Sequence, residues 1–132
     1  MTLELLPFSL EKDLPLINGW RLARKLEEVR ADFLPPTGVM VTSDGVPLCV
    51  GFLYKTDARS AVVGNVVADP LSDKEVRVKA LMLLYTTLFD FAKEDGFLVI
   101  VCTTNIPALM KKYEALGMIK TDENMSSFGR FI

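Results

Sequence analysis

The spacing of apolar residues changes several times along the chain, and each change marks an element. Leu3 to Phe8 is a short apolar stretch interrupted by Pro7, a weak strand candidate. From Glu11 the spacing lengthens. Leu14 and Ile17 begin a pattern that continues through Leu22, Leu26, Val29 and Phe33, with Arg, Lys and Glu between them. This predicts helix in two pieces, parted around Asn18-Gly19 and ended by Pro35-Pro36. Val39-Met40-Val41 and Leu48 to Tyr54 then alternate as strands on either side of Asp44-Gly45, a strong hairpin signal. In the second of them Leu48, Val50, Phe52 and Tyr54 are expected on one face. A polar turn leads to a third strand, Ala61 to Ala68, stopped by Asp69-Pro70.

Ser72-Asp73-Lys74-Glu75 has capping-box spacing, with Ser72 as the cap and Glu75 reaching back. It predicts a long helix from about Asp73 to Glu94, closed by Gly96 and apolar nearly all round, hence central and buried. Phe97 to Cys102 is a continuous apolar run, the mark of a buried parallel strand after a crossover. A shorter helix follows, with Pro107 in its first turn and Gly117 at its end. Met118–Thr121 and Phe128–Ile132 read as a final hairpin. The order predicts a mixed-sheet α/β layer domain spanning residues 1–132, without repeat or linker.

Composition narrows the chemistry. The 132 residues contain no histidine, which removes imidazole bases, His-dependent triads and histidine zinc sites. No metal site is expected. A net charge of −2 without a basic stripe argues against nucleic acid and anionic membrane as partners. No apolar stretch approaches membrane-spanning length without a charge, and the first residues do not have the form of a signal peptide. Cys49 and Cys102 both lie in apolar runs and read as free thiols of a reducing cytoplasm.

Three local patterns, in order, resemble the GNAT superfamily of N-acetyltransferases from end to end. Ala68-Asp69-Pro70 with Ala80-Leu81-Met82 resembles the family's strand-to-helix junction. Phe97 to Val101 resembles its fifth strand. Asn105-Ile106-Pro107-Ala108, followed by Tyr113-Glu114-Ala115-Leu116-Gly117-Met118, resembles its N-x-x-A…Y-E-x-L-G-F segment, with one extra residue between Asn and Tyr. The resemblance implies a GNAT-like, mostly antiparallel sheet with a central helix. It also implies acetyl-CoA as acyl donor and a small-molecule or peptide amine as acceptor. The pantetheine arm would pair with the backbone of Val66, Val67 and Ala68. The diphosphate would meet the start of the long helix, with Lys74, Arg77 and Lys79 alongside. Asn105 corresponds to a residue that bonds the cofactor arm, or it caps the short helix. Tyr113 corresponds to the acid that protonates the departing thiolate, or it packs with Leu109 and Leu116.

One stretch departs from the pattern. Where the family has R-G-x-G-x-G, this chain reads Asp73-Lys74-Glu75-Val76-Arg77-Val78, and no glycine lies between Gly64 and Gly96. Glycines let a diphosphate approach the backbone closely, so their absence predicts weaker, side-chain-dependent binding. Gly64-Asn65 reads either as a bulge or as room for a neighbour. Asp69 is the nearest candidate base, or it shapes a turn before Pro70. Trp20, Arg21 and Arg24 read as acceptor-pocket residues or as a solvated helix face around one buried Trp. Two functions stand: an acetyl-CoA-dependent N-acyltransferase, and a non-catalytic binding or assembly module on the same fold. The apolar content and the C-terminal strand pair add an expected homodimer.

Overall fold

The computed structural model describes residues 2–104 and 106–132. Its elements are β1 (Leu3–Pro7), α1 (Leu10–Ala23), β2 (Thr37–Ser43), β3 (Val46–Lys55), β4 (Ser60–Ala68), α2 (Lys74–Glu94), β5 (Val99–Val101) and α3 (Pro107–Ala115), with one 3-10 turn at Ala31–Phe33. Among the described residues the strands form one sheet in chain order, β1-β2-β3-β4-β5, antiparallel except for the parallel β4–β5 pair. Asp44 and Gly45 both take positive φ, +51° and +79°, the two left-handed positions of a tight hairpin turn whose twist matches its strands.

The sheet carries a core on each face. Under α2, Val41, Leu53, Ala61 and Val63 pack against Ala80, Leu84, Tyr85 and Leu88. On the opposite face, Ile17 and Trp20 of α1 pack with Met40, Val50, Phe52 and Val67. Leu48 joins the α2 side rather than the face of Val50 and Phe52, because a register shift at Val41/Thr42 inserts one extra β3 residue. None of the described helices is long and apolar enough to cross a membrane.

Three expectations are corrected. The helix after β1 does not part at Asn18-Gly19. It runs unbroken to Ala23 and ends at Lys25, where φ is +61° and the Leu26 amide returns to the Arg21 carbonyl. Asn18 does not compete with its own helix because its side chain has a better partner. Its Oδ1 accepts from the Val29 amide (2.8 Å) and its Nδ2 donates to the Val29 carbonyl (3.2 Å), clamping the extended segment after the helix. Leu22 and Leu26, read as helix-face residues, are exposed.

The run Phe97–Cys102 yields only three strand residues, and Leu98, Val99 and Val101 are exposed. Its apolar composition implied burial, but β5 is the sheet's edge. The expected final hairpin is absent, with residues 118–132 carrying no strand. A hairpin needs a long partner edge to be stable, β5 offers only three positions, and Gly129-Arg130 interrupts the apolar alternation. Phe131 instead stacks on Phe33 (6.0 Å between ring centroids), with the Arg30 guanidinium over both rings.

Candidate functional site

β4 and β5 pair at only three positions, Ser60–Val99, Ala61–Ile100 and Val62–Val101. Beyond them β4 continues to Ala68 with no strand on that side among the described residues. A bulge re-aims this free stretch. Val50 pairs with Val67 but Phe52 with Gly64, so Gly51 faces two residues, Asn65 and Val66, and Asn65 takes φ +50°. Gly64 also serves as room for a neighbour, since a Cβ there would stand 3.0 Å from the Tyr54 ring. The bulge reading of Gly64-Asn65 therefore holds, and the neighbour that Gly64 makes room for is a side-chain ring and not the backbone expected. Past the bulge, the Asp69 amide donates to the Leu48 carbonyl. In an antiparallel ladder this makes the neighbouring Cys49–Ala68 pair non-hydrogen-bonded, so the backbone N–H and C=O of Ala68 point away from β3 into the split.

At the end of β4 the chain turns into α2. Asp73 is the N-cap, its Oδ2 accepting from the Val76 amide at 3.2 Å. The expected cap, Ser72, donates its hydroxyl to the Asp69 carbonyl instead (2.6 Å). Val76 turns into the core, so it is the Asp73 carboxylate rather than a branched side chain that occupies the helix start. Lys74 and Lys79 are exposed, while the half-buried Arg77 donates to the Ser72 carbonyl (3.0 Å).

At the other end of the split, Tyr85 of α2 and Tyr113 of α3 meet with hydroxyls 3.0 Å apart and rings edge to face. Tyr85 is fully buried. Tyr113 is half-buried and lines a cleft of about 110 Å³ with Cys102, Met110, Glu114 and Lys120. Burial raises both phenols above the ordinary tyrosine range, Tyr85 the further; the bond from Tyr85 offsets part of the rise at Tyr113. Burial also lifts the Cys102 thiol to about 11, against the pull of the Val63 amide.

No protein-family model and no curated protein matches the chain. Solved structures do. A Trypanosoma brucei acetyltransferase superposes with TM-score 0.73 at 17% identity, covering 96% of this chain and 99% of that one. A transcriptional regulator from Bacillus halodurans gives 0.74 at 16%, covering 97% and 100%. The Escherichia coli ribosomal-protein-S18-alanine N-acetyltransferase gives 0.71 at 15%, covering 88% and 77%.

The chain has the GNAT fold.

On this GNAT scaffold the expected residues fall into two groups. Val66 lies in the bulge and Val67 and Ala68 follow it, with the Ala68 backbone turned away from β3. Lys74 and Arg77 lie at the start of α2, whereas Lys79 is about 140° round the helix from Lys74. Tyr113 lies on α3, against Tyr85. Asp69 shapes the turn: its Oδ1 accepts from the Leu71 amide (2.9 Å), and it shares no hydrogen bond with Tyr113. Asn105 lies outside the described residues. Trp20 is buried between α1 and the sheet and lines no pocket among the described residues.

Sequence reading missed two residues. Arg24, read either as an acceptor-pocket residue or as part of a solvated helix face, donates its Nε to the Ala68 carbonyl (3.0 Å), the group that faces the split. Partial burial, then the nearby Arg77, lowers its pKa, with Asp69 opposing. Two guanidiniums thus converge on the end of β4, where an anion relieves their repulsion. Arg21 reaches Asn65 Oδ1 (3.5 Å), and Asn65 donates to the Tyr54 hydroxyl (2.5 Å). Tyr85 is the other omission, because as one of many apolar positions on α2 it carried no local signal. The Ala68 backbone, turned away from β3 with its carbonyl held by Arg24, suits an extended amide-bearing chain that displaces that side chain. The start of α2 suits phosphate mainly through Arg24, Arg77 and Lys74.

Proposed function

We propose that the protein is an acyltransferase that moves the acetyl group of acetyl-CoA to a small-molecule or peptide amine. The observation that carries this reading is the early end of the β4–β5 pairing: past Val62 a bulged β4 turns the Ala68 backbone away from β3, Arg24 sits on its carbonyl with Arg77 nearby, and Tyr113 is hydrogen-bonded to Tyr85 in a cleft beside Cys102. Acetyl-CoA, when bound, supplies an acyl group activated as a thioester. The chain's contribution is binding and proton supply. The Ala68 backbone holds the arm once Arg24 moves off its carbonyl, and Arg24, Arg77 and Lys74 then face phosphate. Tyr113 holds a proton at Oη for the leaving sulfur and recovers it from solvent. Water takes the proton of the amine, since the Asp69 carboxylate is engaged in its turn.

The test is thiol release from acetyl-CoA with a panel of neutral, acidic and basic amines. Turnover that falls by about 10²-fold or more in Tyr113→Phe supports the reading. No turnover with any amine and no acetyl-CoA binding favours the second reading, a non-catalytic binding module. One observation supports that alternative: Asp73 and Arg24 already occupy the Val76 amide and the Ala68 carbonyl.

We also propose a homodimer through the β5 side, where Leu98, Val99, Val101 and Ile119 are exposed. Sedimentation at a clean monomer mass at high micromolar concentration rejects it.

A further inference from the structure

We infer that Tyr85 is a positioning residue for Tyr113, a one-way hydrogen bond from the core that aims the Tyr113 proton into the cleft. The inference rests on the reading of Tyr113 as proton donor and extends it to a second helix. The argument begins with a count of partners. The Tyr85 hydroxyl is fully buried, and its one hydrogen-bond partner among the described residues is the Tyr113 oxygen, 3.0 Å away. A buried hydroxyl that keeps its proton unbonded is costly, so Tyr85 donates and Tyr113 accepts. Tyr113 is then left with its own proton, and its half-buried ring lines the cleft beside Cys102, where that proton has somewhere to go. Had the direction been reversed, the inner proton would have no acceptor.

Two consequences follow for chemistry. First, the orientation is fixed by the core. Tyr85 sits in the row Leu81, Leu84, Tyr85, Leu88 that packs α2 against the sheet, so it cannot follow movements of the short helix α3. Second, a phenol that accepts a hydrogen bond is a better acid, because the bond strengthens as negative charge develops on its oxygen. The charged or titratable groups around the pair are Cys49 on β3, Cys102 after β5, and Glu114 and Lys120 along the cleft. Both thiols stay neutral at physiological pH, with burial pushing Cys49 up to about 12 and Cys102 up to about 11. Neither supplies a charge that substitutes for the Tyr85 bond there.

The test uses the intact protein labelled at tyrosine Cζ and followed by carbon NMR through an alkaline titration. The chain has three tyrosines, so single Phe variants assign every signal. The expected result is that Tyr113 ionises before Tyr85 and that Tyr85→Phe raises the Tyr113 midpoint by about one unit. An unchanged midpoint, or Tyr85 ionising first, overturns the inference. A denaturant series on the same variants reads the direction of the bond independently. Tyr113→Phe strands a buried donor and lowers the unfolding midpoint more than Tyr85→Phe, whose remaining partner reaches water. Equal losses or the reverse order contradict the assignment.

With acetyl-CoA turnover as a third readout, Tyr85→Phe lowers kcat about tenfold at unchanged KM, and the alkaline limb of the rate profile moves to higher pH. Unaltered kcat and limb position overturn the catalytic consequence. Absence of turnover in the unaltered protein removes the acyl-transfer reading, while the titration and unfolding measurements still decide the direction of the pair.

Discussion

The two ends of the β4–β5 split are built differently. At the tyrosine end, the positions of the polar groups are set by burial: Tyr85 is locked in the core and Tyr113 is held to it at 3.0 Å. At the α2 end, Asp73 and Lys74 are exposed, Arg77 is half-buried, and the Val76 amide is taken by a carboxylate from the chain itself. The first end owes its geometry to the core and not to a ligand. On the proposed reading, the second takes an anion only by rearranging side chains, in competition with its own helix cap. If the acyl-transfer reading holds, proton donation and phosphate recognition are separable here, and a chain can keep one while loosening the other.

The sharpest way to probe the buried end is pH. Cys49 is fully buried beneath the same helix as Tyr85, and its thiol is pushed up from the ordinary 9.0 to about 12. The stability tied to this group is fully present below pH 9, where both states keep the proton. It is lost as pH rises towards 12, because the unfolded thiol ionises first. The expected loss from Cys49 alone is about 1.4 kcal/mol per pH unit across that window, with Tyr85 adding to it at its upper end. Denaturant unfolding of the native protein and of Cys49→Ala between pH 8 and 11 checks this, the variant showing the shallower decline. Equal slopes would mean that the core around the tyrosine pair is wetter than described.

A smaller effect tests whether α1 must be held for the other end to work. Asn18 is buried and makes both of its bonds to Val29. Asn18→Ala leaves the Val29 amide and carbonyl without partners and is expected to cost about 2–3 kcal/mol of stability in denaturant unfolding. Since α1 delivers Arg24 to the Ala68 carbonyl, the same variant should weaken anion binding as well.

How much of this was legible in the sequence follows the same division. The Asp44-Gly45 turn, the long helix and the parallel β4–β5 pair were readable because each carries its own local signal in turn chemistry, capping or apolar period. The bulge was readable as an alternative, from Gly64-Asn65. Asn18-Gly19 was misread as a break because sequence shows a helix-breaking pair but not the distant Val29 backbone that satisfies Asn18. Phe97–Cys102 promised a buried strand because composition reports preference for burial, not whether a neighbour exists to provide it. Of the site, Tyr113 and the β4 stretch came through resemblance to a family. Tyr85 and the Arg24–Ala68 bond are long-range pairings that no local pattern encodes.

The mildest perturbation addresses the cap. Asp73→Ala removes an N-cap and should cost about 1 kcal/mol of stability. It also frees the Val76 amide and removes a negative charge from the phosphate end, so acetyl-CoA affinity should rise a few-fold while stability falls. A parallel fall in both would show that the cap supports the site and does not compete with it.

The most direct measurement is calorimetric titration of acetyl-CoA into the native protein at low and at high salt, with Arg77→Ala alongside. Mobile side chains at an exposed helix start are screened by salt, whereas oriented amides are not. The account predicts measurable but weak binding that declines further at high salt and in Arg77→Ala. Tight binding indifferent to salt would contradict the description of the α2 end, and no binding at millimolar acetyl-CoA would contradict the acyltransferase reading itself.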